Sequence, residues 1–129
     1  MVGILLLTHS NIGDALMETA TEILGPIHVP TEIFRVNHDL DLSDLTDKVT
    51  HSIKSLERGD GVLILTDLYG ATPYNVAKKI TQFKTSIISG LNLNMLLAVL
   101  NYAETYCLED LVAKAEQAGR TGICHARKK

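Results

Sequence analysis

A histidine ends a run of aliphatic residues near the start of the chain, where Val2 to Leu7 gives way to Thr8-His9-Ser10-Asn11. An aspartate stands in the same relation to a later run, where Gly61 to Thr66 gives way to Asp67. Gly70-Ala71-Thr72-Pro73 follows directly, with the chemistry of a turn and a helix start. A carboxylate accepting a hydrogen bond from one imidazole nitrogen sets the tautomer and leaves the other nitrogen as a lone-pair nucleophile. It also stabilises the cation formed once that nitrogen reacts. Backbone N–H groups at a helix N-terminus, together with a threonine hydroxyl, form a cradle for an anion. These parts describe a histidine that accepts and releases a phosphoryl group, a reaction in which positioning and electrostatics supply most of the catalysis. The expected roles are His9 as nucleophile, Asp67 as tautomer-setting partner, and Gly70, Ala71 and Thr72 as phosphate contacts. Leu68, Tyr69 and Tyr74 flank the site as an apolar docking surface for partner proteins, although Tyr74 suits core packing equally well.

Taken singly, each element has a plainer reading: an exposed histidine, an aspartate in a turn, a capped helix. Their joint position depends on the elements that carry them. Val2 to Leu7 and Gly61 to Thr66 are apolar at consecutive positions, the pattern of strands covered on both faces. Thr31 to Val36 and Thr85 to Ser89 read as further strands. Between them lie helical stripes: Ile12, Leu16, Ala20, Ile23 and Leu24 before Gly25-Pro26, then Leu45, Val49, Ile53 and Leu56 after the caps around Asp41 to Asp44. Thr72 reads as an N-cap with Pro73 at the first helical position. Leu93 to Leu100 forms a short apolar helix, and Leu108, Leu111, Val112, Ala115 and Ala118 a last one capped by Gly119. Thr121 to His125 is expected to add a short strand.

Strands alternating with helices in this way predict an α/β three-layer sandwich with a mainly parallel central sheet and a short antiparallel C-terminal strand. In such sheets, sites lie beyond the carboxyl ends of strands at a topological switch point. If the first and third strands are central neighbours, His9 and Asp67 meet there.

The rest of the composition narrows the field. At 129 residues, with 46% hydrophobic and 21% charged residues, the chain is expected to be one domain over residues 1–129 with a proper core. A formal charge of −3 argues against nonspecific nucleic-acid binding, and the basic tail Arg127-Lys128-Lys129 reads as a solvated terminus. No apolar stretch is long enough for membrane insertion, and the N-terminal run lacks the features of a signal peptide. The two cysteines, Cys107 and Cys124, read as reduced thiols in a cytoplasmic protein.

Other chemistries find no support. Neither G-x-G-x-x-G after the first strand nor G-x-x-x-x-G-K-[ST] is present, and there is no G-x-S-x-G. Asp39-x-Asp41-x-Ser43 imitates a calcium loop, but Asp44 and Thr50 stand where glycine and glutamate are required. His28, His38, His51 and His125 lack metal-ligand spacing and read as structural or exposed. No metal, nucleotide or organic cofactor is expected. A response-regulator receiver would need an acidic pair after the first strand, where Thr8-His9 stands.

Three blocks in order carry a family resemblance: T-H-S-N-I-G-D-A-L from Thr8, T-D-L-Y-G-A-T-P-Y-N-V-A from Thr66, and G-L-N-L-N-M-L-L from Gly90. Together they resemble the IIA component of the mannose family of the bacterial phosphoenolpyruvate-dependent sugar phosphotransferase system. The resemblance implies that His9 is phosphorylated by the phosphocarrier protein HPr and passes the group to a IIB component. It implies that Asp67 hydrogen-bonds the imidazole and that the loop from Gly70 to Thr72 surrounds the phosphate. It further implies a homodimer in which the segment matching Thr121 to His125 is exchanged between subunits. The family usually shows Gly-Gly-Ser or Gly-Gly-Thr before the proline. Here Thr72 keeps the hydroxyl, while Ala71 restricts positive φ. No IIB domain follows in the sequence, so the expected acceptor is a separate protein. The alternatives are a regulatory module read by its phosphorylation state, a phosphodonor of the dihydroxyacetone-kinase type, and a flavodoxin-type domain that holds a phosphorylated ligand noncovalently.

Overall fold

The computed structural model describes residues 1–127; Lys128 and Lys129 of the basic tail lie outside the described residues. Four strands form one parallel sheet in the order β2-β1-β3-β4. They are β1 (Gly3–His9), β2 (Thr31–Val36), β3 (Val62–Thr66) and β4 (Thr85–Ser89). The helices are α1 (Ile12–Leu24), α2 (Leu42–Leu56), α3 (Thr72–Lys79), α4 (Leu93–Tyr102) and α5 (Leu108–Thr121).

The consecutive aliphatics of β1 and β3 are buried because both strands are central and covered on both faces. Alternation divides them: Ile4, Leu6, Leu63 and Leu65 pack beneath α1, α4 and α5, while Leu5, Leu7, Val62 and Ile64 pack beneath α2 and α3. Each fully buried aliphatic of this size contributes about 1.5–3 kcal/mol by leaving water. The outer strands β2 and β4 are only half-buried over most of their length. This is the expected three-layer sandwich. The chain leaves β1 toward β2 on one side and later returns to β3 on the other, so the switch point lies between β1 and β3.

Three local expectations need correction. Along α1, Ile12 and Ile23 are exposed, and the helix packs instead through Leu16, Met17, Ala20 and Leu24. Gly119 does not cap the last helix. It lies buried within α5, where an added Cβ would come within 2.8 Å of the Met95 side chain, so it serves the close approach of α4 and α5. Finally, Thr121 to His125 is no strand in this chain: Thr121 ends α5, and residues 123–127 have no regular structure. A strand exists only through its ladder partner, and β4, the open edge nearest this segment, pairs among the described residues with β3 alone.

Candidate functional site

β1 and β3 run side by side in register, with Leu7 opposite Thr66, so the residues following both strands emerge together. His9 Nδ1 lies 2.9 Å from Asp67 Oδ2. The His9 backbone N–H donates to both carboxylate oxygens at 3.3 Å. An ionised carboxylate only accepts, so the bond places the imidazole proton on Nδ1 and leaves the lone pair on Nε2. The Asp67 side chain is 11% exposed and the His9 side chain 35%, so the carboxylate is sheltered and the imidazole is reachable from solvent. Holding backbone and ring at once, Asp67 fixes where the ring sits as well as its tautomer.

Only Ser10 and Asn11 connect β1 to α1, and Ser10 takes the turn at φ 48°, the one non-glycine residue of positive φ among those described. Its N–H donates to the Val36 carbonyl at 3.1 Å, and the buried Thr8 hydroxyl accepts from Gly13 N–H at 2.9 Å. The histidine is therefore held from both sides by a short, tied connection. Local strain of this kind gathers at functional sites, where the surroundings over-determine it.

The turn after Asp67 resolves the question raised by alanine. Gly70 alone takes a positive φ there, 76°, whereas Ala71 is extended at φ −84° and ψ 176°. Ala71, not Thr72, is the N-cap, so Thr72 is the first helical residue and Pro73 the second. The proline's missing N–H costs nothing in a first helical turn. The Thr72 and Tyr74 amides lie ahead of the first α-helical bond, which runs from Asn75 N–H to the Ala71 carbonyl at 3.0 Å. The exposed Thr72 hydroxyl caps no backbone group and remains available to a ligand. Asn75, unremarked in the sequence, donates its side-chain amide to the Gly70 carbonyl at 2.9 Å and clamps the turn. Its place in the first turn of a helix is a cue sequence reading had available.

His9 and Thr72 share the border of a cleft of about 270 Å³ with Asn37 and His38, which follow β2. Gly70 and Ala71 do not border this cleft; they shape the turn that presents Thr72. Tyr69 and Tyr74 stack at 4.9 Å between ring centroids, tilted by 50°, and border a second groove of about 490 Å³ running along β4 to α5. Leu68 and Tyr69 are exposed, at 58% and 74%, while Tyr74 is half-buried against its neighbour. The third sequence block serves structure. Leu91 N–H donates to the Thr66 carbonyl at 3.0 Å, and Asn92 caps α4 through Met95 N–H while donating to the Gly119 carbonyl of α5. Among the described residues no three His, Cys, Asp or Glu side chains gather to hold a metal, and no helix is long and apolar enough to cross a membrane. Cys107 and Cys124 are free and exposed.

The sequence model of the EIIA-man family, described as the PTS system fructose IIA component, matches residues 3–116. The mannose-specific EIIAB component of Escherichia coli (strain K12) is 30% identical over 125 residues, covering 95% of this chain and 38% of its own length. The chain thus spans well under half of that relative. The sorbose-specific EIIA component of Lacticaseibacillus casei is 30% identical over 118 residues, 85% of this chain and 80% of its own. The crystal structure of an EIIA component from Streptococcus agalactiae superposes with a TM-score of 0.84 at 25% identity, covering 97% of both chains. With the family model spanning most of the sequence and the fold shared from end to end, the chain belongs to the mannose-type EIIA family of the sugar phosphotransferase system.

Proposed function

We propose that this protein is a cytoplasmic phosphocarrier, in which His9 accepts a phosphoryl group from phospho-HPr and passes it to a IIB component in sugar uptake or its regulation. The observation that carries this reading is the 2.9 Å contact between His9 Nδ1 and Asp67 Oδ2 beside the start of α3. In the first step the Nε2 lone pair attacks phosphorus, and the bond between phosphorus and the donor's nitrogen breaks. The new N–P bond places positive charge on the His9 ring, and Asp67 stabilises it while keeping the Nδ1 proton. The Thr72 hydroxyl and the free amides at the start of α3 support the phosphoryl oxygens, favoured by the positive end of the helix dipole. Transfer to the IIB component is the same displacement in reverse, with His9 as the leaving group. The chemistry calls for no cofactor.

We infer a homodimer as the working form. Among the described residues the outer edge of β4 is unpaired, and exposed Ile123 borders the groove beside it. The segment after α5 of a second copy would satisfy that edge as an added antiparallel strand.

The test is phosphoryl transfer. The purified protein is incubated with phosphoenolpyruvate, enzyme I and HPr, and intact masses of wild type and His9→Ala are recorded. One acid-labile, base-stable phosphoryl group is expected in the wild type and none in the variant. A wild type that stays unlabelled while HPr is phosphorylated, or a variant labelled to the same extent, would reject the assignment.

A further inference from the structure

The second neighbour of His9 is the segment that follows β2. His9 lies opposite Val36, so the chain leaving the sheet at Asn37 runs beside the imidazole. Asn37 and His38 accordingly border the same cleft of about 270 Å³ as His9 and Thr72, and the rest of that border is aliphatic. Among the described residues no lysine or arginine lines it, and His38 is the one of them besides His9 able to present a cation there. His38 is solvent-exposed.

A phosphoryl group on Nε2 brings up to two negative charges to a site that already holds the Asp67 carboxylate. Backbone amides and a hydroxyl solvate such a group without neutralising it. We propose that His38 is a phosphate-binding residue of the phosphorylated state, donating a ring N–H and a positive charge to the phosphoryl oxygens on His9 and thereby favouring phosphate retention. The inference rests on the reading of His9 as acceptor. His38 forms no bond to phosphorus and keeps its proton, so transfer proceeds as before, from a better stabilised phosphoenzyme.

Asp39 and Asp41 lie on the same loop as His38, Asp44 is in the first turn of α2, and Asp67 stands beside the His9 ring. These carboxylates act on His38 in both states, whereas the phosphoryl group is present in only one. The His38 pKa must therefore rise on phosphorylation. By linkage, the extra stability of the phosphorylated form is complete at pH low enough to protonate His38 in both states. It is lost as pH rises through the higher pKa of the phosphorylated state.

The experiment is an NMR titration of the histidine rings between about pH 5.5 and 8.5. It is run on the unphosphorylated protein and on protein kept phosphorylated by phosphoenolpyruvate, enzyme I and HPr, with the phosphohistidine followed by its phosphorus signal. The expected result is an upward shift of the His38 pKa by about 1 unit, the scale of a close opposite charge. The transfer equilibrium with phospho-HPr, read as wild type relative to His38→Gln, should favour wild type about tenfold at low pH and converge at high pH. His38→Lys should keep the advantage throughout. A phosphorus signal on His9 with an unmoved His38 pKa overturns the inference alone. No phosphohistidine on His9 overturns it together with the reading it rests on.

Discussion

The strand ends at the centre of the sheet and the outer edge at β4 differ in what they lack. At the carboxyl ends of β1 and β3, backbone and side-chain partners are supplied within the chain: Asp67 holds His9 twice, Ser10 is tied to Val36, and Thr8 is tied to Gly13. At β4 and the segment after α5, the strand is half-buried, its outer edge has no partner among the described residues, and Ile123 is 79% exposed. The first region is self-sufficient, as chemistry at one imidazole demands, because a displacement tolerates little error in the attacking atom's position. The second is unfinished, and an open strand edge beside apolar side chains is a template for another chain.

Core truncations would sharpen this contrast most. Leu5→Ala removes a fully buried side chain from β1 and should cost about 2–5 kcal/mol in chemical denaturation. Ile87→Ala, on half-buried β4, should cost markedly less in the monomer; equal losses would erase the distinction. Asp67→Ala should slow transfer from phospho-HPr on the order of 10²-fold, as loss of a catalytic proton partner does, without unfolding the protein. An unchanged rate in rapid-quench measurements would break the account of the first region. Removing residues 122–129 should weaken self-association by at least about tenfold in sedimentation equilibrium while leaving His9 open to phosphorylation, since an added strand contributes backbone hydrogen bonds. Unaltered association would place the dimer contact elsewhere.

Smaller effects separate neighbouring residues of the phosphate turn. Gly70→Ala should cost about 1–2 kcal/mol, because it forces a Cβ into positive φ. Ala71→Gly should gain nothing and lose roughly 0.5 kcal/mol through the freer unfolded chain. Ser10→Gly should gain up to about 1 kcal/mol by relieving its positive φ. The smallest is a pH effect at the pair formed by Arg35 and Asp14, at 2.7 and 2.9 Å. Its hydrogen bonds to the guanidinium hold the Asp14 carboxyl below its ordinary value, so the stabilisation is present above the usual carboxylate range. It fades as pH falls below about 4 through the lowered pKa, and Asp14→Asn should flatten that part of the acid-unfolding curve.

Much of this was legible before any coordinates. The strands β1 and β3 declare themselves because residues covered on both faces must be apolar at every position, and few other local structures ask for that. His9 and Asp67 could be paired because each ends such a strand. Other features escaped because they depend on contacts rather than on periodicity. Ile12 and Ile23 fit a helical stripe as well as Leu16 does, yet where α1 lies over the sheet decided which of them met it. Gly119 resembles a helix stop, and only Met95 across the interface explains why it lies inside α5. His38 carried no motif at all; it matters through where β2 ends relative to β1.

Residue order by itself determined the parallel layered fold, the strand-end positions of His9 and Asp67 and the turn that starts α3, because burial, capping and backbone freedom act over a few neighbouring residues. Tertiary structure alone decided which imidazole nitrogen is free, that Gly70 rather than Ala71 bends the turn, that Asn75 clamps it, and that His38 faces the same cleft as His9. Those outcomes are set by distances between residues far apart in the chain, and such distances come into being only when the strands take their order in the sheet.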